Sequence, residues 1–313
     1  MPRGRGIFPL DTRPSVLVPF GFCLHNPVTT WALTLILAAA FIHATWNLLN
    51  KRASGHATFT WIVAVLSAAF YAPVALAAVL FWGAQIGWVA IAFMAGSAAL
   101  HTGYFVLLNE GYRAGDLSLV YPLARGTGPL LATVAAILFF GERPSALALA
   151  GGLLIVVGVI ALTGSPEKLR QAGRKKAIVY AVATGTFIAA YTLWDKQAVS
   201  RFAVAPILLD WGSNFGRSLF LTPFTLRHWN SAGNEWRTHR FEAVGVALLV
   251  PLSYILVLTA MQFTPVSYVA PAREISILVG TVMGTRFLAE GDVHRRLAAA
   301  GAMVLGVVAL AAG

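Results

Sequence analysis

Ser118-Leu-Val-Tyr-Pro-Leu-Ala-Arg-Gly-Thr-Gly-Pro129 lies inside an apolar run, 117–140, long enough to cross a bilayer as a helix. The middle of that run nonetheless carries two prolines, two glycines and Arg125. The chain repeats the idea at Ser267-Tyr-Val-Ala-Pro-Ala-Arg-Glu-Ile-Ser276, inside the run 266–288. An arginine near the middle of a span costs roughly 2.5–3.5 kcal/mol on insertion scales, so it must face protein or trapped water rather than lipid. The two stretches read as two halves of one polar site inside a membrane protein. Pro122 and Pro271 each remove a backbone hydrogen bond, which predicts a helix break in each half. Broken backbone at that depth is tolerated where it is buried in protein or lines a watery cavity. Arg125 follows Pro122 within one turn, and Arg273 with Glu274 follow Pro271 in the same way.

The composition supports this outward from the two stretches. The 313 residues are 58% hydrophobic and 11% charged, with a mean hydropathy of +0.73, whereas a soluble domain carries about 25% charged residues. The formal charge of +11 belongs to loops at a membrane surface. The basic clusters lack interleaved aromatics on a soluble face, so nucleic acid is not the expected partner. A single cysteine, Cys23, excludes an intrachain disulfide and a thiolate metal cluster. No zinc-protease helix, phosphate-binding loop or nucleophile elbow is present, and the reading carries no metal and no cofactor.

Residues 1–28 are rich in Pro, Gly and Arg and read as a disordered tail, with a signal peptide as the alternative. Ten apolar spans follow, at 31–50, 59–82, 88–108, 117–140, 145–163, 177–194, 204–226, 242–263, 266–288 and 297–312. The chain repeats internally across them. Val156-Val-Gly-Val-Ile-Ala-Leu162 matches Val304-Leu-Gly-Val-Val-Ala-Leu310, Glu142 matches Glu290, Pro122 matches Pro271 with a one-residue slip, and Asn50-Lys51 matches Asp195-Lys196. The expected fold is an all-α membrane protein of ten transmembrane helices in two inverted five-helix repeats, 29–163 and 177–313. Five spans is an odd number, so the second half enters the membrane upside down, an arrangement that places a site at the repeat interface near the midplane. Fourteen of the 23 Lys and Arg residues fall on one side, six on the other, and Arg125, Arg217 and Arg273 inside spans. The basic side is expected to be cytoplasmic, which puts both termini outside.

Trp46-Asn-Leu-Leu-Asn-Lys51, Phe140-Gly-Glu-Arg-Pro144, Leu288-Ala-Glu290 and the glycine-rich fifth and tenth spans resemble the drug/metabolite transporter superfamily, in its EamA-like branch. The resemblance covers about residues 31–312. It implies a ten-helix transporter with a central cavity between the halves, moving small metabolites, often outward. It also implies cytoplasmic termini, against the charge count.

The polar residues within spans define the candidate site. His43, Trp46, Asn47 and Asn50 share one helix face, either as a cavity wall or as interhelical hydrogen bonds. His101 and Tyr104 share a face of the third span; a packed histidine and a substrate or proton ligand are the two readings. Asp210, Asn214 and Arg217 form a stripe on the seventh span, with Asp210 and Arg217 about 10 Å apart along the axis and Asn214 placed to bridge them. Tyr121, Tyr191 and Tyr254 supply aromatic surface. Gly151, Gly152, Gly158, Gly301 and Gly306 permit close packing in spans five and ten. Glu142 and Glu290 read as turn residues capping or solvating the next helix start. Glu274 and Asp210 are the acids placed well inside spans, and they are the candidate proton carriers. Arg125 pairs structurally with Glu274, or an arginine binds a substrate carboxylate through its two-pronged guanidinium.

The function that follows is a secondary transporter, an exporter in the first reading, of small polar or amphipathic metabolites such as amino acids or organic anions. It would sit in the inner membrane, with the lipid bilayer and a small-molecule substrate as partners and protons as an open addition. The alternatives are a non-transporting scaffold or sensor and a membrane-embedded enzyme. His43, His101 and Asp210 are the only candidates for the latter, and they share no motif spacing.

Overall fold

The computed structural model describes residues 29–53, 57–115, 117–163, 175–279 and 293–313. These include ten helices and no strands: α1 Thr30–Arg52, α2 Ala57–Phe81, α3 Trp88–Ala114, α4 Leu117–Phe140, α5 Ala146–Thr163, α6 Lys175–Ser200, α7 Pro206–Arg227, α8 Trp229–Phe263, α9 Val266–Ala272 and α10 Val293–Ala312, with residues 275–279 helical again after a turn. In α1–α4, α6 and α8 there are six segments long and apolar enough to cross a membrane. Helix is the outcome these sequences require, because backbone N–H and C=O groups have no water to bond inside a bilayer. Local chemistry sets the ends. The Thr29 hydroxyl accepts from the Ala32 N–H at the start of α1, and Pro206 opens α7, where a missing N–H costs nothing. The outer surface is apolar, with Trp88 80% and Phe139 78% exposed, as a lipid-facing surface should be.

The helices pack in crossed pairs: α1 on α8, α3 on α6, α2 on α7, α5 on α10, α4 on α6, with α3 also against α7 and α2 against α8. One end of the bundle gathers several links. There Trp194 donates to the Phe93 carbonyl, Phe93 packs on Phe202, and the Lys196 ammonium donates to the carbonyls of Met261 and Thr264. At the other end Trp61 donates to Thr222 and meets Trp229 edge-on. The glycines of α5 and α10 do bring backbones together. A Cβ on Gly151 would lie 2.6 Å from the Gly306 carbonyl oxygen, and one on Gly306 would lie 2.6 Å from the Gly151 oxygen. Gly301 takes no part, since it faces open space.

Several expectations need correction. α4 is helical without interruption from Leu117 to Phe140, so Pro122 does not break it. The break at Pro271 is real. After Ala272 the backbone tightens into i→i−3 bonds, from Glu274 N–H to Pro271, Ser276 N–H to Arg273 and Ile277 N–H to Glu274. α6 runs to Ser200 rather than ending near 194, which carries Asp195 and Lys196 into the bundle. α8 begins at Trp229 rather than 242 and kinks at His239, so the stretch read as a loop is helix. Glu290 and the second part of the ninth span lie outside the described residues.

Candidate functional site

The tightened stretch after α9 projects Arg273 and Glu274 toward α4. Arg125 and Glu274, in opposite halves of the sequence, meet there. Arg125 Nε lies 2.9 Å from Glu274 Oε2, and both residues are buried, at 6% and 3% exposure. The contact is an ion pair whose angle falls outside a hydrogen bond. The paired reading of these two residues is the arrangement found. Arg273 is not paired with Asp210. Its guanidinium sits over the Tyr254 ring, 5.4 Å from the centroid, a cation–π contact.

Two small voids adjoin the arginines. One is walled by Arg125, Pro129, Tyr191, Thr192, Arg273 and Glu274 among others. The other is walled by Ile36, His43, Arg125, Ser253, Tyr254 and Arg273 among others. Both touch Arg125 and Arg273, and each has room for about one water. Neither void holds more than a water or so beside these charges.

Behind it lies an aromatic cluster. His101 stacks on Tyr191 with centroids 4.1 Å apart and meets Tyr254 edge-on, while Tyr104 meets Tyr191 edge-on. The center of this cluster is Asp195, fully buried. Its Oδ2 accepts from the Tyr254 hydroxyl at 2.5 Å and lies 3.3 Å from His101 Nε2. Its Oδ1 has no partner among the described residues. Sequence reasoning missed Asp195 as a site residue and named Glu274 and Asp210 as the only acids deep in spans; Asp195 is a third. The available signal was its match to Asn50 in the internal repeat.

The other candidates divide. His43 lines the second void and meets Trp46 edge-on at 4.6 Å. Trp46 itself packs with the apolar cluster of Phe59, Ile62 and Val246, away from the voids. Asn47 is half-buried and lines neither. Tyr121 packs against the main apolar core. In the α7 stripe, Asn214 donates to both Asp210 Oδ2 and the Asp210 carbonyl, each at 3.0 Å. It therefore serves one end of the stripe and does not bridge to Arg217, whose buried Nε has no partner among the described residues. Glu142 does cap a helix, but not the next one. Its carboxylate accepts from the N–H groups of Val266 and Ser267 at 2.8 and 2.9 Å, at the start of α9. Among the described residues no group of three His, Cys, Asp or Glu side chains is placed to hold a metal ion.

Membrane-length helices around two water-sized voids lined by buried charges define a multi-pass membrane protein. Residues 30–164, somewhat less than half of the chain, match the model of the EamA-like transporter family. A crystal structure of another protein superposes with a TM-score of 0.72 at 16% identity, covering 89% of this chain and 95% of that one. At that identity the likeness speaks for the fold alone.

Proposed function

We propose that the protein is a secondary transporter exporting small anionic or zwitterionic metabolites, amino acids or organic anions, across the inner membrane, with Arg125 as the anion-binding group. The observation that carries this reading is the Arg125–Glu274 pair, buried beside two voids that both touch Arg125 and Arg273. Glu274 is then an internal stand-in for the substrate carboxylate. An arriving anion takes the guanidinium fork, Glu274 swings away, and a carboxyl left without its cation in a low-dielectric site takes up a proton. Glu274 is in this way the substrate-linked acid, with Asp210 as the second carrier, and His43, Tyr104, Tyr191 and Tyr254 shape the chamber.

The architecture in this reading is ten spans in two inverted halves, 29–163 and 177–313, after the tail 1–28. Four of the helix pairs support it: exchanging their members with the counterparts five places on turns α1/α8 into α6/α3, turns α2/α8 into α7/α3, and leaves α2/α7 and α5/α10 unchanged.

The test is counterflow of a 14C-labeled amino-acid mixture in vesicles bearing the wild type or Arg125→Lys. Lysine keeps the charge and loses the fork. The expected outcome is a well-expressed variant with at least a tenfold loss of counterflow, a change of about 1.4 kcal/mol in transition-state binding. Wild-type rates in Arg125→Lys would reject Arg125 as the substrate ligand.

A further inference from the structure

Three buried acids face the interior, and two are already committed. Glu274 sits against Arg125, and Asp210 accepts twice from Asn214, through Oδ2 and its own carbonyl. Asp195 differs from both. It is fully buried, no lysine or arginine forms an ion pair with it among the described residues, its Oδ1 is unpartnered, and Oδ2 is shared between His101 and Tyr254.

We propose that His101, Asp195 and Tyr254 form a proton-binding site that fills without substrate and reports its state to Arg273. One proton, taken from water, changes the net charge of the His101–Asp195 pair from −1 to 0. It rests on the pair either as imidazolium with carboxylate or as imidazole with carboxylic acid, a coupled titration belonging to both residues. Before uptake, the Tyr254 hydroxyl donates to Oδ2 and holds its ring under Arg273. After uptake a second N–H or O–H competes for that oxygen, Tyr254 loosens, and Arg273 loses its aromatic seat. The charges acting on the pair come from every helix around it. Tyr191 is on α6 itself and stacks on His101. α3 brings Tyr104, α7 brings Arg217 and Asp210 within electrostatic range, and Arg273 acts from beyond α9. From α4, Arg125 is neutralized by Glu274.

The inference rests on the transporter reading for its purpose but not for its test. Proton uptake by the purified, substrate-free protein is measured with an indicator dye after a jump from about pH 8 to about pH 5, the range in which histidine titrates. The wild type is expected to take up about one proton per chain more than Asp195→Asn, and Asp195→Glu to restore it. Equal uptake by wild type and Asp195→Asn overturns the proposal. If Asp195→Asn does not fold, His101→Gln is read instead, with the same deficit expected and equal uptake again overturning it. Absence of amino-acid counterflow in the wild type would count against the transporter reading and leave the proton count standing. In vesicles that do transport, the wild type is expected to accumulate the labeled mixture down an imposed pH gradient and Asp195→Asn to lose this; full gradient-driven accumulation in the variant overturns the link to Arg273.

Discussion

At the scale of single residues, the most consequential contact joins Arg125 to Glu274 across 149 positions of sequence. Removing one member of a buried pair strands the other charge and costs about 3–5 kcal/mol, whereas removing both costs less. Arg125→Ala is therefore expected to lower yield and thermal stability in detergent, and Arg125→Ala with Glu274→Ala to recover most of both. A double variant as unstable as the single would mean the pair does not hold α4 to the stretch after α9. This contact was legible in sequence because both members follow a proline inside an apolar run, and repeated punctuation does not arise from hydrophobicity. Asp195 was not legible as a site residue. Hydropathy closes the sixth span at the first cluster of polar residues, Asp195-Lys196-Gln197, whereas the helix continues to Ser200 with Asp195 turned inward and Lys196 bonded to the carbonyls of Met261 in α8 and Thr264 just after it.

At the scale of elements, the short link between α4 and α5 serves a helix it does not touch in sequence. Glu142 supplies both acceptors for the first N–H groups of α9, and a carboxylate there also meets the positive end of the helix dipole. Loss of a cap costs about 0.5–2 kcal/mol. Glu142→Ala should accelerate amide exchange at 266–268 while leaving α5 unchanged, as read by hydrogen exchange with mass spectrometry; unchanged exchange at 266–268 would show that water replaces the carboxylate without loss. The helices themselves were readable from apolar length. Their partners were not, because a cap acting over 124 residues leaves no local pattern. The α7 stripe shows the same limit. Its spacing correctly put Asp210 and Asn214 on one face, yet only the fold decides that Asn214 bonds Asp210 rather than Arg217.

At the scale of the whole molecule, the proposed inverted halves make a directional prediction. The link between α2 and α3 and the start of α8 after α7 are counterparts five helices apart. With Cys23 removed, cysteines at Gln85 and Ser231, both exposed, should react with an impermeant thiol reagent from opposite sides of the membrane. By the distribution of basic residues, Ser231 should be the cytoplasmic one. Reaction of both from one side would rule out inverted halves.

The placement of the charge pair also has a consequence in time. Synthesis runs at about 5–20 residues per second, so Arg125 leaves the ribosome about 7–30 s before Glu274. Throughout that interval the first half holds a guanidinium with no carboxylate to receive it, and α4 on its own is a poor candidate for stable insertion. Arrival of the stretch after α9 is then the event that gives Arg125 its counter-charge, and chains truncated before residue 274 should be recognized as unfinished by the cell's membrane quality control.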